Sequence, residues 1–129
     1  MKRPFALREQ ALIGFVATSN PDRAKAFYRD ILGLPLVSEE LPFALVFDAN
    51  GTMLRVTVLK DFTPARHTVL GWRVPVIAEA ALALQQAGVT FERYPGMQQD
   101  ELGIWTAPGG TQIAWFKDPD GNVLSISQH

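Results

Sequence analysis

The sequence predicts an α+β fold. A single domain over residues 1–129 holds two tandem βαβββ modules, the first over about 11–60 and the second over about 67–128. Three observations carry this expectation. Asp48-Ala49-Asn50-Gly51-Thr52-Met53-Leu54-Arg55-Val56 lines up with Asp118-Pro119-Asp120-Gly121-Asn122-Val123-Leu124-Ser125-Ile126, a repeat offset by 70 residues. In each copy an Asn-Gly or Asp-Gly pair separates two apolar-rich runs, which is the sequence signature of a β-hairpin. Upstream of each hairpin stands a helical apolar pattern closed by glycine.

Taken in order, the run 11–18 reads as the first strand. Asn20-Pro21 opens the first helix, because proline suits the first helical turn. Its apolar stripe is Ala24, Phe27, Tyr28 and Ile31, and Gly33 ends it. Strands over about 34–40, 43–48 and 52–58 complete the first module, and 61–66, with Pro64, is the linker. The second module repeats the order with a strand at 68–74 and a helix at 77–87. Ile77, Ala81 and Leu84 form that helix's stripe and Gly88 its stop. Strands at 89–93, 111–117 and 122–127 follow. The residues between Pro95 and Gly110 are extra relative to the first copy. Gly96, Gly103, Pro108 and Gly109 among them predict a mobile rim loop with a short strand at 104–106.

Composition narrows the function classes. A 14.3 kDa chain that is 47% hydrophobic and 19% charged buries roughly two-thirds of its unfolded surface and needs no metal or disulfide staple. Zero cysteines remove disulfides, thiolate metal sites and thiol nucleophiles, and give no sign of an oxidising compartment. Twelve Lys plus Arg against 13 Asp plus Glu offer no basic field for a phosphate backbone, so nucleic acid is not an expected partner. The charged N-terminal stretch 1–10 precedes no apolar run of signal-peptide length, and no segment reaches the roughly 18 apolar residues of a membrane span. The expectation is a cytoplasmic protein with no membrane partner. Neither a Gly-x-Ser-x-Gly elbow nor a Walker-type phosphate loop is present.

Ala26-Phe27-Tyr28-Arg29-Asp30-Ile31-Leu32-Gly33-Leu34, together with Asp118-Pro119-Asp120-Gly121-Asn122, resembles the vicinal-oxygen-chelate superfamily, which includes glyoxalase I, bleomycin-resistance proteins and extradiol dioxygenases. The resemblance covers the chain from about Ala11 onward. It implies paired βαβββ modules whose curved sheets form a cup, commonly completed in a homodimer. In metal-using members it implies a divalent ion held by residues of the first and last strand of each module. Those positions are Ile13, Arg55, Val69 and Ser125 here. Isoleucine and valine offer no lone pair, and a neutral serine hydroxyl is a weak ligand. A guanidinium about 4 Å from a divalent ion meets repulsion of roughly 8 kcal/mol at an effective dielectric near 20. No bound metal and no other cofactor is expected. The chain's two histidines, His67 and His129, make no metal motif. His67 is either a solvent-facing residue at a strand start or, by alternation with Val69, one aimed at the cup.

Alternation along the strands assigns a concave face. With Leu124 and Ile126 toward the helices, Val123, Ser125 and Ser127 face inward, and by the repeat so do Met53, Arg55 and Thr57. On neighbouring strands the same argument turns Ile13, Phe15, Leu45, Phe47, Val69, Gly71, Arg73, Ile113, Trp115 and Lys117 inward. Trp105 in the glycine-rich loop is a flap or an interface residue. The candidate ligand-binding set is Phe15, Phe47, Met53, Arg55, Arg73, Trp105, Trp115, Lys117 and Ser125. Trp72, Phe27, Phe91 and Phe116 are expected in the core. Glu39-Glu40 and Asp100-Glu101 are solvated loop charges or partners for Arg55, Glu101 in particular. A mostly apolar and aromatic face with a few cations suits a small hydrophobic or aromatic ligand, with or without an anionic group. The first reading is therefore a metal-free small-molecule binding protein that self-associates. The alternative is a metal-dependent lyase, isomerase or dioxygenase with relocated ligands; whether any reaction is catalysed stays open in the sequence.

Overall fold

The computed structural model describes residues 3–129, so Met1 and Lys2, at the start of the expected domain, lie outside the described residues. After one 3₁₀ turn at Leu7–Glu9, the chain forms β1 (Ile13–Thr18), α1 (Pro21–Lys25), β2 (Leu36–Glu40), β3 (Ala44–Ala49) and β4 (Thr52–Val58). The second half forms β5 (Thr68–Arg73), α2 (Ile77–Gln86), β6 (Trp105–Thr106), β7 (Gln112–Lys117) and β8 (Val123–Gln128). Two four-stranded sheets result, ordered β1-β4-β3-β2 and β5-β8-β7-β6. In each the first strand runs parallel to the last and the remaining pairs are antiparallel. The duplicated α+β architecture expected from the repeat is the one observed.

Local chemistry explains the element ends. The Asn20 side chain accepts a hydrogen bond from the Arg23 N–H, capping α1, and Pro21 occupies the first turn. α1 widens into a π-helical stretch, Ala26–Ile31, where the Leu32 N–H reaches the Phe27 carbonyl at 2.9 Å. This stretch delivers the adjacent Phe27 and Tyr28 to the core together, their rings edge to face at 5.1 Å. The β3–β4 turn places Asn50 and Gly51 at φ of +53° and +92°, the left-handed pair a two-residue hairpin of this hand requires.

The second copy departs from the first in three ways. Its hairpin is longer, and only Gly121 adopts positive φ; Asp120 does not. The expected strand at 89–93 shrinks to a single bridge between Phe91 and Phe116, and the two-residue β6 fills the sheet edge instead. The segment between Pro95 and Gly110, expected as a rim loop, carries a network of side-chain hydrogen bonds. Gln99 Nε2 donates to the Glu92 and Gly103 carbonyls, its Oε1 accepts from the Tyr94 N–H, and Arg93 donates to the Asp100 and Glu101 carbonyls. One amide side chain thus satisfies three backbone groups that a loop would otherwise leave to water.

One continuous apolar core joins the modules, including Val16, Tyr28, Phe47 and Leu54 of the first and Ile77, Phe116, Leu124 and Ile126 of the second. Phe27, Phe91 and Phe116 are buried as expected, and Trp72 is half-buried against the same core. The modules are also bonded at the Asp118–Asn122 turn: Asp120 accepts from Thr18 Oγ1 and Ser19, and Asn122 Nδ2 donates to the Ala17 carbonyl. Among the described residues no helix is long and apolar enough to cross a membrane.

Candidate functional site

Residues paired across a β-ladder point to the same side of the sheet. In the first sheet Ile13 pairs with Met53, Phe15 with Arg55, and Arg55 with Val46, so these side chains share the face opposite the core. That face is open, with Phe15 60% and Met53 41% exposed. Phe47 and Leu45 do not belong to it. They pair with Leu54 and Val56 and are fully buried on the helix side, Phe47 beside the Tyr28 ring at 5.8 Å. The β3 residues that share the face of Arg55 are Ala44, Val46 and Asp48 instead, the first two of them buried. The cause is one residue of register: a two-residue turn at Asn50-Gly51 pairs Ala49 with Thr52, and a slip of one inverts every side chain of the strand. The turn itself held the missing signal.

Arg55 lies under a third exposed and donates from Nη1 to Glu40 Oε1 at 3.1 Å. Its carboxylate partner is thus Glu40, at the end of β2. Glu101 lies elsewhere, its backbone carbonyl accepting from Arg93. Glu39 binds Lys25 Nζ at 2.6 Å, and Asp100 accepts the Leu102 and Ile104 N–H groups.

In the second sheet, one cross-strand row on the open face is Gly71, Ser125 and Trp115, and the next is Arg73, Ser127, Ile113 and Trp105. Trp115 sits 6.0 Å from Trp105 and meets Tyr94 edge to face at 5.6 Å. Tyr94, which no sequence period marks, completes this aromatic wall. Burial and then the Glu92 charge raise its hydroxyl pKa, against the opposing pull of Lys117. Lys117, paired with Val123, faces the same side with its Nζ 3.5 Å from Glu92. The structure therefore groups Trp105, Trp115, Ser125, Arg73 and Lys117 on one sheet, and Phe15, Met53 and Arg55 on the other. Among the described residues no hydrogen bond, ion pair or aromatic contact joins the two sets.

The residues at the four superfamily metal positions do not fit a divalent ion. Ile13 and Arg55 stand on the open face of the first sheet and Ser125 on that of the second. Val69 falls in a β-bulge between Thr68 and Leu70 and packs against the core. The same bulge breaks the alternation that would have linked it to His67. His67 is exposed, with Nδ1 3.1 Å from the Thr68 carbonyl oxygen. The described residues hold no group of three or more His, Cys, Asp or Glu able to hold a metal.

The family profile of the Glyoxalase/Bleomycin resistance protein/Dioxygenase superfamily matches residues 11–126. The chain belongs to that superfamily. A glyoxalase family protein from Enterococcus faecalis superposes with a TM-score of 0.73 at 20% identity, covering 95% of this chain and 99% of that one. A lactoylglutathione lyase from Agrobacterium tumefaciens gives 0.69 at 17% identity, with 92% of each chain covered. A superfamily member from Sphaerobacter thermophilus DSM 20745 gives 0.68 at 22% identity over 94% of this chain and 99% of that one. At these identities the superfamily likeness establishes the fold and leaves the chemistry to the site. No curated protein matches the chain in sequence.

Proposed function

We propose that this superfamily member is a metal-free binding protein for a small hydrophobic or aromatic molecule, with or without an anionic group, held in a cup that a homodimer completes. The observation that carries the reading is a donor-poor ligand position beside an aromatic wall: Ser125 stands next to Trp115 where a metal ligand would be required. An open aromatic surface with few polar groups suits a flat organic ligand. Self-association is supported by the open first sheet, whose Ile13, Phe15 and Met53 are each at least 41% exposed.

Elemental analysis of the purified protein, combined with mass spectrometry of small molecules retained through gentle purification, tests the reading. The expected result is an organic ligand and no stoichiometric divalent metal. One Zn, Ni, Fe or Mn per chain, lost on Ser125→Ala or His67→Ala, would establish the metal-dependent lyase, isomerase or dioxygenase reading in its place.

A further inference from the structure

We infer that the open face of the second sheet is a slot for an aromatic acid, with Arg73 as the anchor of its anionic group. The inference rests on the binding reading above and narrows its ligand class. The cations of the open faces differ in what they already hold. Arg55 is committed to Glu40 at 3.1 Å, and Lys117 faces Glu92 at 3.5 Å. Arg73 is exposed, and its guanidinium has no carboxylate within ion-pair distance among the described residues.

The floor along the Gly71–Ser125 row is low. Between the strand of Arg73 and that of Trp115 runs β8, which presents Ser125 and Ser127 to this part of the face, with the His129 ring 3.0 Å from Ser127 Oγ at the Arg73 end. Two strand spacings separate the backbones of Gly71 and Trp115 by roughly 10 Å, the width of a fused aromatic ring system. Gly71 keeps the slot open: a Cβ there would lie 2.9 Å from Ser125 Oγ. Trp115, backed by Trp105 and Tyr94, forms the wall at the other side. A flat ring laid on this floor against Trp115 directs a carboxylate or sulfonate toward the guanidinium fork of Arg73 and the Ser125 hydroxyl. The fork geometry and fixed charge of arginine match such an anion.

The test uses two fluorescent probes that share an anilinonaphthalene body, 1-anilinonaphthalene-8-sulfonate and neutral N-phenyl-1-naphthylamine. Each is titrated against the parent protein, Arg73→Met, Lys117→Met, Gly71→Val and Trp115→Ala. Arg73→Met is expected to lower the ratio of sulfonate to neutral affinity about tenfold while leaving the neutral probe's affinity in place. Lys117→Met should leave the ratio within about twofold, because a half-exposed lysine already facing a carboxylate contributes little. Gly71→Val should weaken both probes. A ratio that survives Arg73→Met, or that falls equally in Lys117→Met, overturns the inference and leaves the binding reading standing. If neither probe binds the parent in a Trp115-dependent way, the binding reading falls and the inference with it.

Discussion

Tyr28 Oη donates to Asp118 Oδ2 at 2.6 Å across the boundary between the two modules, and both side chains are buried. The same carboxylate accepts from Asn122 Nδ2 at 2.8 Å and from the N–H groups of Asp120 and Asn122. Burial first, and then the Asp118 charge, push the Tyr28 hydroxyl far above its ordinary pKa, so it remains a donor. Tyr28→Phe removes one donor of the four and leaves the ring in place. The expected loss is about 1–2 kcal/mol, since the remaining three bonds keep the carboxylate satisfied. A lower urea midpoint at unchanged slope is the readout.

Asp120 makes acid sensitivity a second consequence of this junction. Burial works to raise its carboxyl pKa, but the Ser19 N–H, the Thr18 and Ser19 hydroxyls and the Arg23 guanidinium outweigh it, and the net shift is downward from 3.8. A carboxylate with a depressed folded-state pKa contributes stability that is present above the unfolded value and lost as pH falls through the folded one. The parent should therefore lose stability below about pH 4 more steeply than Asp120→Asn, which should be less stable at neutral pH and flatter in acid. Denaturation midpoints measured between neutral pH and acid decide it; parallel curves would detach Asp120 from the effect.

Phe47 supplies a third test, of the face assignment itself. As a fully buried ring against Tyr28, it should cost about 3–5 kcal/mol when truncated to alanine. The fraction that remains folded should keep the parent's affinity for the naphthylamine probe. A large affinity loss with little destabilisation would return Phe47 to the ligand face.

The same geometry separates the features that local sequence signals mark from those they do not. The repeat, the glycine stops and the hairpin pairs are local signals, and they marked both βαβββ modules and every strand except the one expected at 89–93, which is a single bridge. The faces of β4, β7 and β8 were legible because Leu124 and Ile126 could be assigned to the core. β3 was not, because transferring a face across a hairpin needs the turn's residue count as well as its presence. Val69 was not legible either: a bulge inserts one residue without a sequence mark, and here it breaks the alternation of β5 at a half-buried Val69 that packs against the core. Tyr94 escaped because it reaches Trp115 from a segment with no regular period. Glu40 was among the acids weighed for Arg55, but choosing it over Glu101 needs the three-dimensional closeness of β2 and β4, two strands apart in the sheet.

The proposed homodimer rests on the first sheet. Phe15 stands 60% exposed on that face, and Ile13 and Met53 adjoin it across the β1–β4 ladder. The parent is expected to sediment as a dimer of 14.3 kDa chains at micromolar concentration. Phe15→Glu should raise the dissociation constant on the order of a hundredfold or more, through lost apolar burial and the cost of covering a charge. A parent that sediments as a monomer counts decisively against the homodimer.

Tryptophan emission separates the two faces of the second sheet within one protein. Trp72 pairs with Ile126 on the core side, whereas Trp115 pairs with Ser125 and Trp105 with Ile113 on the open side. A probe bound on the open face should therefore quench or shift the emission of Trp115 and Trp105 by direct contact or energy transfer, with Trp115 dominant because it adjoins the Gly71–Ser125 floor. Addition of N-phenyl-1-naphthylamine is expected to change emission as strongly in Trp72→Phe as in the parent. In Trp115→Phe most of that change should disappear, and in the Trp105→Phe, Trp115→Phe double variant nearly all of it. Energy transfer reaches across a thin sheet, so the contact-dependent shift in emission maximum is the sharper measure than total intensity. A maximum that moves only when Trp72 is present would put the ligand on the helix side, in the apolar crevice that Trp72 shares with Leu34, Leu84 and Phe116.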